Sequence, residues 1–215
     1  MAIERVKTGI PGLDPLIEGG FPKGRTILIS GATGCGKTIF GLQYLYKGAT
    51  EYGENGIYIA FEERPKYVRE HMLRFGWDIE KLEAENKIAI LDATASRIGM
   101  PTAERYAEVR IMRFDELIQT LWKINDQLQA KRVVVDPITA IALQYEDDFT
   151  IRKEILRLSI ALETLGCTSM LTSEMREGEP GVSRFGVEEY IAEGVIFLEY
   201  IRKGVEYFRT LTIRK

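Results

Sequence analysis

Apolar residues follow two rhythms along this chain. Short unbroken runs, "RTILIS" (25 to 30), "GIYIAF" (56 to 61), "KIAIL" (87 to 91), "RVVVD" (132 to 136) and "TSMLT" (168 to 172), read as strands buried on both faces. Between them the spacing turns helical. Phe40, Tyr44, Leu45 and Ala49 share a face within 38 to 50, and Pro65 opens a helical stretch to about Phe75. Phe114, Leu117, Ile118, Leu121, Ile124 and Leu128 mark a helix over 113 to 130, and Ile151, Ile155, Leu158, Leu162 and Leu165 another over 150 to 165. Strands alternating with helices predict an α/β fold, a mainly parallel sheet with crossover helices on both faces. From Gly194 the rhythm changes: "GVIFLEY" and "YFRTLTIR", either side of "IRKGVE", predict a C-terminal antiparallel hairpin. Residues 1 to 24, dense in Gly and Pro, read as a lead-in segment, and Ser96 to Ala107 as a loop without periodicity.

The first predicted strand runs into "GATGCGKT", residues 31 to 38, a match to G-x-x-x-x-G-K-[ST] at Gly31, Gly36, Lys37 and Thr38. Glycines let successive backbone N–H groups turn toward phosphates, the lysine reaches the β and γ oxygens, and the hydroxyl ligates Mg²⁺. The helix that starts here adds its positive end. Four fixed positions arise by chance in roughly one chain in a hundred, but this copy follows a predicted strand and opens a predicted helix. Gly31, Ala32, Thr33, Gly34, Cys35, Gly36, Lys37, Thr38 and Ile39 are therefore the candidate nucleotide-binding residues. Cys35 reads as a small apolar spacer rather than a redox switch.

Strand tips at the same sheet edge carry carboxylates. Asp136 closes "VVVD", the position of a second magnesium anchor beside Thr38. A strand-ending Asp before Pro137 is also an ordinary turn starter. Glu62 and Glu63 follow the second strand in "AFEERP"; one can hold an attacking water while its neighbour orients a helix or pairs with a base. The same pair would also suit a solvated helix N-terminus. Thr172, Ser173 and Glu174 form a third polar strand tip.

The composition narrows the setting. A chain of 215 residues with 45% hydrophobic content supports one core, so residues 1 to 215 are expected to form a single domain. Twenty-nine basic against 32 acidic residues argue against general nucleic-acid or membrane binding. Two cysteines make no disulfide framework and no zinc spacing. With no signal-like segment and no membrane-length apolar run, the expectation is a soluble, cytoplasmic protein. His71, the sole histidine, sits in a charged helix and reads as a solvated surface residue, and Trp77 and Trp122 as core or interface. The acidic triplet Glu146, Asp147, Asp148 reads as a solvated loop.

The order "TGIPGLDPLIEGGFPKG", the phosphate loop, "FEE", "GW" at 76 and 77, "VVVD", "LTSE" and "SRFGVEEYIAEGVIFL" resembles the KaiC-like branch of the RecA-fold P-loop ATPases, over nearly the whole chain. The resemblance implies a RecA-like core that binds ATP with Mg²⁺, hydrolyses it at the subunit boundaries of a homo-oligomeric ring, often a hexamer, and acts in regulation. It implies catalytic glutamates at Glu62 and Glu63 with Lys37, a magnesium-side aspartate at Asp136, and a channel-facing loop at "RFGVEEY". Clock proteins of the family carry two such domains where this chain has one, and their phosphorylated Ser-Thr pair falls on Glu189 and Tyr190, which argues against self-phosphorylation there. Of the family's Lys-x-Arg pair aimed at a neighbour's γ-phosphate, Lys215 matches the lysine and the sequence stops before the arginine. Glu174 stands where recombinases use a glutamine.

Three functions follow from these readings: a nucleotide hydrolase, an ATP-gated assembly module with little hydrolysis, and a DNA recombinase relative. The third is weakest, because the chain is acidic and offers only Arg176 and Arg184 in the candidate channel loop.

Overall fold

The computed structural model describes residues 3–94, 104–107, 114–140, 145, 147–175, 186 and 188–215. Its centre is an eight-stranded sheet. In chain order the strands are β3 (Thr26–Gly31), β4 (Gly56–Ala60), β5 (Ile88–Asp92), β6 (Tyr106–Ala107), β7 (Arg132–Asp136), β8 (Thr168–Glu174), β9 (Gly194–Lys203) and β10 (Glu206–Ile213). Two short strands of the lead-in, β1 (Arg5–Val6) and β2 (Phe21–Pro22), pair with each other outside it. The spatial order is β10-β9-β3-β8-β7-β4-β5-β6, parallel throughout except for the β9–β10 hairpin. This is the mainly parallel sheet expected from the alternating pattern, with the RecA-like core that the resemblance implies.

Helices cover both faces because the strands bury both. Along β3, Ile27 and Ile29 turn to one side and Leu28 to the other, and β7 splits Val134 from Val133 and Val135 in the same way. The first face is covered by α1 (Lys37–Lys47), α2 (Pro65–Leu73), α3 (Ile79–Ala84) and the lead-in, through Phe40, Leu42, Leu45, Val68, Met72 and Leu82. The second is covered by α4 (Phe114–Leu128) and α5 (Asp148–Thr164). Leu117, Leu121 and Ile124 of α4 are fully buried, each worth about 1.5–3 kcal/mol relative to exposure. A four-residue turn of helix, α6 (Glu188–Ile191), precedes β9.

Local chemistry sets the helix starts. Pro65 opens α2 after an extended Arg64. Asp78 accepts from the Lys81 amide at 2.9 Å to cap α3, and Asp147 accepts from the Thr150 amide at 2.8 Å to cap α5. Asp147 and Asp148 are thus a cap and a first helical residue rather than a loop. Trp77 packs on the first core and stacks on Tyr46 and Phe75, whereas Trp122 is 40% exposed. Of the segment read as a patternless loop, residues 96–103 lie outside the described residues and Tyr106–Ala107 form β6.

A buried arginine ties the lead-in to the sheet at the end opposite the strand tips. Arg132, fully buried at the start of β7, donates to Glu54 at 2.7 Å, to the Tyr44 carbonyl at 2.8 Å and to the Lys7 carbonyl at 2.8 Å. Its guanidinium lies 4.3 Å from the centre of the Tyr44 ring.

Candidate nucleotide site

Parallel register brings the carboxyl ends of β3, β4, β7 and β8 to one edge: Gly31 pairs with Glu174, and Ala60 with Asp136. At such an edge, where the strand order reverses, α/β folds bind ligands. The loop from Gly31 to Gly36 joins β3 to α1. A Cβ on Gly31 would meet the Leu198 carbonyl oxygen at 2.2 Å and the Cys35 sulfur at 2.7 Å, so β9 can approach only a glycine. Gly36 holds φ at 105° and passes the chain into α1, whose first turn has no side-chain cap, leaving its end available to an anion. Cys35 is buried beneath the loop, as a spacer would be.

Lys37 is 6% exposed and folds back over the loop, donating to the carbonyls of Gly31 at 2.8 Å and Ala32 at 2.9 Å. Beside it, the Asp136 carboxylate gathers three hydroxyls. Thr38 donates to Oδ2 at 2.7 Å, Tyr58 to the same oxygen at 2.6 Å, and Thr172 to Oδ1. Tyr58 and Thr172 flank Asp136 from the neighbouring strands β4 and β8. Burial, followed by the Asp136 charge, raises the Tyr58 phenol well above its ordinary value, so it stays protonated and remains a donor.

A cavity of about 330 Å³ opens over this edge. Thr33, Gly34, Gly36, Lys37, Thr38 and Ile39 form one wall; Glu62, Glu63, Asp136, Pro137 and Glu174 form the others, with Arg209 of β10 completing the rim. The structure therefore brings together the glutamate pair, the aspartate and the loop that the sequence singled out. Thr33 donates to Glu174 at 3.3 Å, and Glu63 pairs with His71 of α2, Oε1 to Nδ1, at 2.7 Å. His71 is half exposed, as expected, but it is bound to a cavity residue.

Sequence reasoning missed Tyr58, the role of Thr172 as a partner of Asp136, and the places of His71 and Arg209 at the cavity. Strand register marks the first two, because they share a face with Asp136; the others depend on where α2 and the hairpin end up. Lys215 lies elsewhere. It donates to the Ala192 carbonyl at 2.8 Å and lines a separate cavity of about 550 Å³ with Ile27 and Gly194, beside the amino end of β3. Arg176, and Arg184, Phe185 and Val187 of "RFGVEEY", lie outside the described residues.

Four carboxylates against two cations line the phosphate cavity, so a bare triphosphate would meet repulsion. A divalent cation removes it. The bonded Thr38 hydroxyl and Asp136 carboxylate are hard oxygen donors on the cavity wall, the ligand type that suits Mg²⁺. The residues present fit that ion.

Comparison with known proteins decides the family. The family described as "ATPase: KaiC" matches residues 6–215. The chain belongs to the KaiC ATPase family. It is 36% identical over 215 residues to the circadian clock oscillator protein KaiC of Prochlorococcus marinus subsp. pastoris, covering 100% of this chain and 41% of that protein. It is also 36% identical over 213 residues to KaiC of Thermostichus vulcanus, covering 99% of this chain and 40% of the relative. The KaiC-family chain thus spans about two fifths of the length of these curated relatives. Among solved structures, a KaiC-like protein of the hyperthermophilic archaeon Pyrococcus horikoshii OT3 is similar with a TM-score of 0.85 and 42% identity, over 100% of this chain and 89% of that one. Membership of this family implies nucleotide binding by a domain of RecA-like fold. No helix among the described residues is long and apolar enough to cross a membrane.

Proposed function

We propose that residues 1 to 215 form one ATPase unit that hydrolyses ATP with Mg²⁺, in the cytoplasm and within a homo-oligomeric ring, most simply a hexamer, as part of a regulatory process. The carrying observation is that Lys37, the Thr38–Asp136 pair and Glu62 with Glu63 surround a single cavity. On ATP binding, the Lys37 ammonium leaves the loop carbonyls for the β and γ oxygens, and the amides of residues 33 to 38 cradle the phosphates. Thr38 and Asp136 would hold Mg²⁺, which would supply neutralisation of the charge on the phosphate oxygens. Glu62 or Glu63 positions a water in line with the γ-phosphorus and accepts its proton as the new P–O bond forms and the β–γ bridge breaks, giving ADP and phosphate. Arg209 adds a second cation on the same chain.

Ring assembly is supported by the hairpin at the sheet edge, where Ile201, Val205, Phe208 and Ile213 are exposed and the outer backbone of β10 has no partner strand among the described residues. In the ring, ATP would lie at subunit boundaries and Lys215 would serve a neighbour's nucleotide. One observation favours a second reading, ATP-gated assembly with little hydrolysis: Lys215 sits away from its own phosphate cavity, so a chain alone lacks that cation.

Phosphate release measured alongside native mass, with and without Mg-ATP, separates the two readings. Glu62→Gln with Glu63→Gln should retain ATP binding and lose turnover by about 10²–10⁴-fold, the usual worth of a positioned base. Unchanged turnover in that double variant overturns the hydrolytic assignment.

A further inference from the structure

We propose that His71 is a positioning residue for the glutamate pair: it pins one oxygen of Glu63 and thereby sets which carboxylate oxygen is presented to the attacking water. The inference rests on the hydrolytic reading above and goes beyond it by giving the two adjacent glutamates different constraints. Glu63 Oε1 lies 2.7 Å from His71 Nδ1. The two form an ion pair when the imidazole is protonated. With Oε1 occupied, Oε2 is the oxygen left to accept from water.

The anchor is fixed from behind. Pro65 sets the start of α2, and Val68 and Met72, buried at 0% and 2%, lock the helix onto the sheet. His71, between them in the sequence, reaches back from α2 to the tip of β4. A half-exposed pair of this kind adds little stability. Its leverage is geometric, because a catalytic base must stand about 2.6–3.2 Å from the proton it takes, and a misplacement of about 1 Å costs on the order of 10²-fold. A side chain as flexible as glutamate gains most from such a tether.

The test is steady-state and single-turnover ATP hydrolysis by the full chain with saturating Mg²⁺. His71→Ala should lower kcat about ten-fold and leave KM for ATP within about two-fold, since the phosphate-binding groups are untouched. The amide nitrogen of asparagine falls near the place of Nδ1, and that of glutamine near Nε2. His71→Asn should therefore recover most of the rate and His71→Gln should not. A contribution to helix stability alone would rank the two the other way, because glutamine is the better helix former. Adding His71→Ala to Glu63→Gln should produce no further loss. Wild-type kcat in His71→Ala, or rescue by Gln equal to that by Asn, overturns the proposal. Glu63→Gln measured in parallel separates the layers. If it keeps wild-type turnover, the hydrolytic role of Glu63 fails; if it loses turnover while His71→Ala does not, only the positioning role fails.

Discussion

Removing one oxygen atom, in Tyr58→Phe, tests how the magnesium-side carboxylate is held. The phenol donates to Asp136 Oδ2 at 2.6 Å and is fully buried, so water cannot replace it. A hydrogen bond to a charged acceptor contributes about 1.5–3 kcal/mol, and a neutral one about 0.5–1.5 kcal/mol. Tyr44 supplies the matched control: it is equally buried, and its hydroxyl donates to the neutral Thr168 carbonyl at 3.2 Å. For a chain of this size each kcal/mol moves Tm by about 2–4 °C. Tyr58→Phe should thus lower Tm by roughly 3–12 °C and Tyr44→Phe by roughly 1–6 °C. Thermal and urea unfolding at pH 7 measure both. The folded-state value of the Tyr58 phenol lies well above 10.0, so its contribution is present in full below pH 10 and is lost as the pH climbs through the folded value. The stability gap between wild type and Tyr58→Phe should therefore narrow above that pH. With Asp136 held by two hydroxyls instead of three, the Mg²⁺ concentration for half-maximal turnover should rise a few-fold. A Tyr58→Phe variant no less stable than Tyr44→Phe would refute the idea that this contact is a charge-assisted restraint.

Three other predictions concern separate parts of the molecule. Arg209→Ala should raise the Kd for Mg-ATP about ten-fold, the size of one partly exposed arginine–phosphate contact, and affect ADP less; equal losses for the two nucleotides in calorimetry would remove Arg209 from the γ-phosphate. Arg132→Ala leaves the Tyr44 and Lys7 carbonyls without their donor, and should cost about 3–5 kcal/mol in urea unfolding; a loss under about 1 kcal/mol would show that the lead-in is held by other means. Burial pushes the Cys167 thiol up to about 11, so iodoacetamide at pH 8 should leave its peptide unmodified in the native protein and alkylate it fully in guanidinium; equal labelling in both states would contradict its burial.

Much of the fold was legible because its strands carry uninterrupted apolar runs, a consequence of burial on both faces, and its long helices keep one wide apolar stripe. Elements that escaped notice are those too short to show a period. α3 has six residues and lies in the charged "DIEKLEAEN", although Asp78 followed three residues later by Lys81 held its cap. β1, β2 and β6 have two residues each and owe their pairing to tertiary placement.

The candidate site divides in the same way. The phosphate loop and Asp136 announce themselves by local spacing. Tyr58, and the bond from Thr172 to Asp136, become visible only once β4, β7 and β8 are placed side by side, which puts three hydroxyls around one carboxylate. Arg132 carries no local signal, because its partners at residues 7, 44 and 54 lie far away in sequence. His71 and Arg209 reach the cavity from a helix and a hairpin that no local pattern aims there.

The central claim, that the bend from β3 into α1 grips a magnesium-bound triphosphate, is tested most directly by titration calorimetry of Mg-ATP against the wild-type chain and Lys37→Ala. The account predicts saturable binding near one nucleotide per chain, weakened at least about 10²-fold by loss of a charge-assisted contact worth about 3 kcal/mol. No binding by the wild type, or equal affinity in Lys37→Ala, would contradict it.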